Sequence, residues 1–188
     1  MNLAVIAVTR QGAAVARRVA DSLRATGCTV TEYGKAGKTL DGAQRAFESL
    51  LPVVAELFCV VDGFVFVAAT GIVVRAIAPH LRHKGVDPAV VIVDDQGRFA
   101  VSLLSGHLGG ANDLARLVAD RNGLMPVITT ATDGLQVVAP DLLAARWGLR
   151  LEPQTAIRPV NAALAAQEPV PVWIEPDLPD YERWQSRM

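Results

Sequence analysis

Short apolar runs, each closed by a turn that leads into an amphipathic helix, recur through the first 134 residues of this chain. That alternation constrains the fold more than any other feature, because a strand apolar along its whole length must be covered on both faces. Leu3–Thr9 is the first such run. The turn Thr9-Arg10-Gln11-Gly12 follows, and a helix over Gln11–Ala25 then carries Val15, Val19 and Leu23 on one stripe until Gly27 stops it. A strand is predicted at Cys28–Tyr33. Asp41 is read as the cap of a helix that carries Phe47, Leu50 and Leu51, is interrupted at Pro52 and resumes to about Phe58.

Gly63–Ala69 is the third strand and Ile72–His80 the helix after it, apolar almost all round and so expected to be buried. Pro88–Val93 and Arg98–Leu104 flank Asp94-Asp95-Gln96-Gly97, a hairpin turn with glycine where a left-handed residue is needed. A helix at Ala111–Arg121, ended by Asn122-Gly123, and a strand at Met125–Thr129 complete the pattern. These elements predict an α/β fold, a three-layer sandwich on a mostly parallel sheet with one antiparallel hairpin.

The texture changes after Gly134, where seven of the eleven prolines lie. Helices are predicted at Pro140–Trp147 and Pro159–Ala166, each with proline at its first position, and a strand at Val170–Ile174. The expected division is an α/β sandwich domain over residues 1–134 and a small Pro-rich appendage, a linker or middle domain with a polar tail, over 135–188.

Composition narrows the function classes. The chain has 188 residues, is 51% hydrophobic and carries a formal net charge of −1. No basic excess points to nucleic acid, and the longest apolar stretch, Gly63–Val74, is too short to span a bilayer. The start of the chain has no basic region or cleavage site of the secretory kind, so a cytoplasmic protein is expected, with Cys28 and Cys59 as reduced core thiols. His80 and His83 stand at i, i+3 without a third ligand, so no metal site is expected. The chain lacks GxGxxG, GxxxxGK[ST] and GxSxG, which leaves nucleotide binding and a serine-hydrolase elbow unsupported.

The polar chemistry is concentrated in loops. Phe99–Asp113 begins as a strand, breaks at Ser105-Gly106, carries His107 through a turn with Gly109 and Gly110, and enters a helix. A turn of this kind aims backbone N–H groups at one spot, ready for an anion or an oxyanion. Three other loops are expected to share its crevice: Thr9–Gly12 with Arg10, Thr70-Gly71 running on to Arg75, and Thr129–Asp133. Each residue also has a structural reading. His107 could bond to backbone, Asn112 could cap its helix, and Asp133 could close an Asx-turn. Arg75, in an apolar helix, needs either a carboxylate neighbour or a ligand.

Four blocks in one order carry a resemblance: Ala69-Thr-Gly-Ile-Val-Val-Arg-Ala-Ile-Ala-Pro79, Lys84-Gly-Val-Asp-Pro88, Leu103-Leu-Ser-Gly-His-Leu-Gly-Gly-Ala-Asn112 and Pro126-Val-Ile-Thr-Thr-Ala-Thr-Asp133. The chain resembles the cobalt-precorrin-5A hydrolase family of anaerobic cobalamin biosynthesis, densely over residues 3–134 and thinly over 135–175. Many members continue into a third, C-terminal domain that is not found before Met188. The resemblance implies a cobalt-bearing tetrapyrrole substrate whose δ-lactone is opened by water with release of acetaldehyde. It implies no cofactor, since cobalt arrives with the substrate, and a homodimer or a separately supplied C-terminal domain as the protein partner. The alternative is a non-catalytic tetrapyrrole- or partner-binding module.

On this reading His107 is the general base, Asn112 joins backbone N–H groups of Gly109 and Gly110 at the oxyanion, and Asp133 orients or exchanges protons. His107 as an axial ligand to the substrate's cobalt is the competing role. Arg10, Gly71, Arg75, Lys84, Ser105, Gly106, Thr129, Thr130 and Thr132 complete the expected substrate contacts.

Overall fold

The computed structural model describes residues 1–37, 43–83, 85–107, 109–130, 140, 144, 148–166, 168–171 and 173. It divides into two compact units, Met1–Thr130 and Ala131–Met188. The first is built on a seven-stranded sheet in the order β3-β2-β1-β4-β5-β6-β7. Its strands are β1 (Asn2–Ala7), β2 (Thr29–Lys35), β3 (Arg45–Phe47), β4 (Gly63–Val67), β5 (Ala89–Val93), β6 (Phe99–Leu104) and β7 (Met125–Val127). Strands β1 to β5 run parallel to one another, β6 runs antiparallel to β5, and β7 runs parallel to β6.

Alternate residues of the central strands fill two separate cores. Leu3, Val5, Val65, Val67, Val91 and Val93 pack under helices α1 (Arg10–Arg24) and α4 (Ala111–Asn122). Ala4, Ile6, Phe64, Phe66, Val90 and Ile92 form the other core with α2 (Leu50–Leu57) and α3 (Thr70–Ile77). Two apolar faces explain why these strands read as unbroken apolar runs, and they make the unit the expected three-layer sandwich.

Local chemistry sets the ends. Thr9 caps α1 by accepting the Gly12 N–H at 3.0 Å, and the predicted stripe of Val15, Val19 and Leu23 is buried. α4 starts from Gly110 at φ +81° and stops at Gly123 at φ +69°, both left-handed.

Several local expectations need correction. Phe47 lies in the short strand β3 rather than a helix, and α2 begins only at Leu50. Pro52 therefore falls in its first turn, where a missing N–H costs nothing, and does not interrupt it. Asp41 lies outside the described residues. α3 is not buried all round: only Val73, Ala76 and Ile77 are, while Ile72 and Val74 are 45% and 43% exposed. Cys59 is exposed and so not a core residue, whereas Cys28 is half-buried and packs against the core under α1. In the second unit a helix, α5, covers Ile157–Ala165 with Pro159 at its third position, not its first. The described residues among 170–174 form no strand, and most of 140–147 lies outside the described residues.

The turn between β5 and β6 is held by one side chain. Asp94 Oδ1 accepts the N–H groups of Arg98 (2.7 Å) and Phe99 (2.9 Å), while Oδ2 accepts from Arg98 Nε at 2.9 Å. Partial burial pushes the Asp94 carboxyl up, but these donors together outweigh it and hold its pKa below the usual 3.8. A carboxyl with a depressed folded pKa stabilises above its unfolded pKa, and the effect is lost as pH falls through the folded value. Asp94→Asn, which removes the charge and keeps an acceptor, is expected to lower stability by about 1 kcal/mol near pH 7. Urea midpoints should converge with the parent's below the carboxylate range, and a gap that persists into strong acid would refute the charge as its cause.

Candidate functional site

Because β6 and β7 run against the other strands, the polar loops do not meet in one crevice. The turns after β1 and β4, with Arg10, Gly71 and Arg75, leave one edge of the sheet, together with the Asp94–Gly97 hairpin. The turn after β6, with Ser105, Gly106, His107, Gly109 and Gly110, leaves the opposite edge, as do Thr129 and Thr130 after β7. The expectation of a four-loop pocket is thus corrected: His107 and the threonines share an edge, and Arg10, Gly71 and Arg75 do not reach it. Asp133, Thr132 and Lys84 lie outside the described residues.

Arg75 is explained without a ligand. It stands exposed on α3 and its Nη1 donates to the Gly71 carbonyl at 3.2 Å, within its own helix. No desolvated cation needs a partner there.

At the other edge the geometry is tight. Asn112 is 3% exposed on the first turn of α4. Its Oδ1 accepts from Ser102 Oγ at 2.7 Å, its Nδ2 donates to Thr130 Oγ1 at 3.0 Å, and its backbone N–H donates to the Gly106 carbonyl at 3.0 Å. One buried amide thus ties β6, the His107 turn and the segment beyond β7 together. Gly106 makes this approach possible, since a Cβ there would stand 2.8 Å from Asn112 Oδ1. The Asn112 amide is thus already bonded to these partners. Ser102 was not singled out from the sequence; its signal is a lone hydroxyl within the apolar run Phe99-Ala-Val-Ser-Leu-Leu.

The turn itself is largely self-satisfied. Gly110 N–H donates to the His107 carbonyl (3.0 Å) and Ala111 N–H to the Ser105 carbonyl (3.1 Å). With Asn112 N–H also taken, the expected ring of open donors at the α4 N-terminus does not form, and Gly110 is removed from the oxyanion role. Of the two glycines proposed for it, only Gly109 has an N–H outside these bonds. Ser105 adopts φ +58°, the left-handed region that few L-residues enter, and its Oγ is buried without a partner. Gly109 packs directly on it: a Cβ at Gly109 would lie 2.3 Å from Ser105 Cβ and 2.9 Å from its carbonyl oxygen. His107 is half-buried in the turn so held. Among the described residues, no three His, Cys, Asp or Glu side chains gather as a metal site would require. No described helix is long and apolar enough to cross a membrane.

An α/β sandwich with a reversed pair of strands and a histidine-bearing glycine turn is the class of protein defined so far. Residues 52–133 match the family description "Cobalamin synthesis G N-terminal", and residues 138–186 match "Cobalamin biosynthesis central region". The chain belongs to the cobalamin synthesis G family. It is 37% identical over 94% of its length to a protein of Salmonella typhimurium named cobalt-precorrin-5A hydrolase. It is 35% identical over 91% of its length to a protein of that name from Priestia megaterium. The chain spans about half the length of these curated relatives, 49% and 46%. In fold it is similar to the crystal structure of a cobalamin biosynthesis protein G homologue from Sulfolobus solfataricus, with a TM-score of 0.56 at 21% identity, covering 95% of this chain and 51% of that one.

The contact between Gly109 and Ser105 makes a direct test of the turn. Gly109→Ala must displace the Ser105 backbone, and overpacking of this kind costs about 1–3 kcal/mol. A lowered urea midpoint with unchanged helical circular dichroism is expected, and an unaltered midpoint would show that the turn is not tightly seated.

Proposed function

We propose that this chain carries the hydrolysis of cobalt-precorrin-5A. The observation that supports the reading most is its similarity, over nine-tenths of its own length, to two proteins named for that reaction. The finer chemistry follows from the substrate's lactone. Water adds to the ester carbonyl as His107 takes its proton and the acyl C–O bond breaks; the freed alkoxide then becomes the carbonyl of a two-carbon aldehyde, acetaldehyde, as the adjacent carbon–carbon bond breaks, its electron pair staying on the macrocycle, which takes up a proton. His107 suits the base because its turn is fixed by bonds of its own and leaves the imidazole half-exposed. Gly109 N–H is the backbone donor assigned to the developing oxyanion. Asp133 is assigned the second proton-handling role.

No protein cofactor is assigned, because cobalt belongs to the substrate. The reaction is placed in the cytoplasm, with a homodimer or a separate C-terminal domain as the protein partner. Incubating the purified chain with cobalt-precorrin-5A should release acetaldehyde, measured by coupled alcohol dehydrogenase. His107→Ala is expected to slow that release by about 10²–10⁴-fold while leaving substrate binding intact. Full release by His107→Ala would remove the base assignment, and an absorption shift without aldehyde from the parent chain would favour a binding module.

A further inference from the structure

The edge that carries His107 also receives the chain entering β5. Val90 pairs with Leu104, so Ser105–His107 leaves β6 alongside the segment that arrives through Val86, Asp87 and Pro88. The described residues before it are bonded to one another. Asp87, 7% exposed, accepts the Arg82 N–H with both carboxylate oxygens at 3.1 Å. The His83 carbonyl accepts N–H groups from Val86 (2.9 Å) and Asp87 (3.0 Å), and His83 Nδ1 accepts the Gly85 N–H at 3.1 Å. With the backbone closed on itself, the side chains of Leu81, Arg82, His83 and Val86 face outward; Leu81 is 45% and Val86 71% exposed.

The charge balance of this edge decides what the loop can hold. Three of its carboxylates are committed: Asp62 accepts the Asn2 N–H, Asp87 the Arg82 N–H, and Asp113 pairs with Arg116; Glu56, exposed near the end of α2, has no such bond among the described residues. The Arg82 guanidinium forms no ion pair among the described residues. A cation with an imidazole beside it and apolar side chains on either flank suits a ligand that is both acidic at its rim and apolar in its body. Arg10 stands at the opposite edge, and the Arg75 guanidinium is turned back along α3 to the Gly71 carbonyl.

We propose that Leu81, Arg82, His83 and Val86 form an anchoring subsite of the His107 edge, where Arg82 and His83 take peripheral carboxylates of a tetrapyrrole and Leu81 and Val86 lie against its ring. This rests on the tetrapyrrole reading above and assigns that substrate's acid groups to named residues.

The test is a binding titration that needs no turnover. The parent chain, Arg82→Gln/His83→Asn and the far-edge control Arg121→Gln are titrated by absorption with an unreactive cobalt corrinoid bearing free carboxylates, and again with its fully amidated counterpart. His83→Asn keeps an acceptor for Gly85, and equal melting temperatures confirm the folds. The double variant is expected to bind the acid about fivefold more weakly than the parent, with the loss shrinking at high salt. The amidated ligand should bind parent and double variant alike, and Arg121→Gln should match the parent with both. Equal acid binding by parent and double variant overturns the loop assignment alone, as does an equal loss for the amide. A parent chain that binds neither corrinoid overturns the tetrapyrrole reading with it.

Discussion

The four residues Asp94–Gly97 between β5 and β6 decide how the rest of the sandwich is used. A parallel neighbour for β5 would need a crossover of a dozen residues or more, and a turn this short permits only an antiparallel return. Asp94 secures it by bonding two successive N–H groups and the Arg98 side chain, while Gly97 takes the left-handed position at φ +65°. Direction is then inherited. β6 runs backwards, α4 crosses back over it, and β7 joins β6 in parallel. The polar loops are thereby sorted onto two edges of one sheet.

What the His107 turn offers follows from how it satisfies itself. Its helix start is stopped by its own carbonyls, so recognition there has to come from side chains rather than from a ring of vacant amides. In exchange the turn is rigid. Gly106 and Gly109 admit contacts that a Cβ would block, Asn112 joins three segments, and together these hold Ser105 in a conformation it would not take alone. The orphaned Ser105 Oγ and the left-handed backbone are costs that the surrounding bonds offset.

The central strands were legible because burial on both faces leaves only apolar residues to see, and the stripe of α1 was legible by its period. β3 was not. Arg45-Ala46-Phe47 is only three residues long, and Phe47, Leu50, Leu51 and Val54 together mimic a helical spacing, so propensity alone cannot place the boundary. α3 misled in the other direction: its residues are apolar all round, yet only one stripe meets the core, and composition does not reveal where a layer ends. At the site, the glycine turn and Asn112 could be located but not assigned. Spacing shows that a side chain is near a loop, whereas its role depends on whether its donors are already bonded, and Ser102 and Thr130 supply that answer only in three dimensions.

The same reasoning explains why the other edge is not the obvious place for a ligand. In open parallel sheets the crevice where strand order reverses, here between β1 and β4, is the usual binding position, with anions drawn to the helix start beside it. In this chain that position is taken from within. Thr9 Oγ1 donates to Asp95 Oδ2 at 2.8 Å while accepting the Gly12 N–H, and Asp95 Oδ1 sits 2.9 Å from where a Cβ on Gly12 would stand. A carboxylate from the β5–β6 turn thus lies over the first turn of α1, favoured by the helix dipole and repelling any phosphate that might compete for it. The single glycine after β1 is accounted for by the approach of that carboxylate, not by a nucleotide. The hairpin that sends His107 to one edge also delivers the side chain that closes the other.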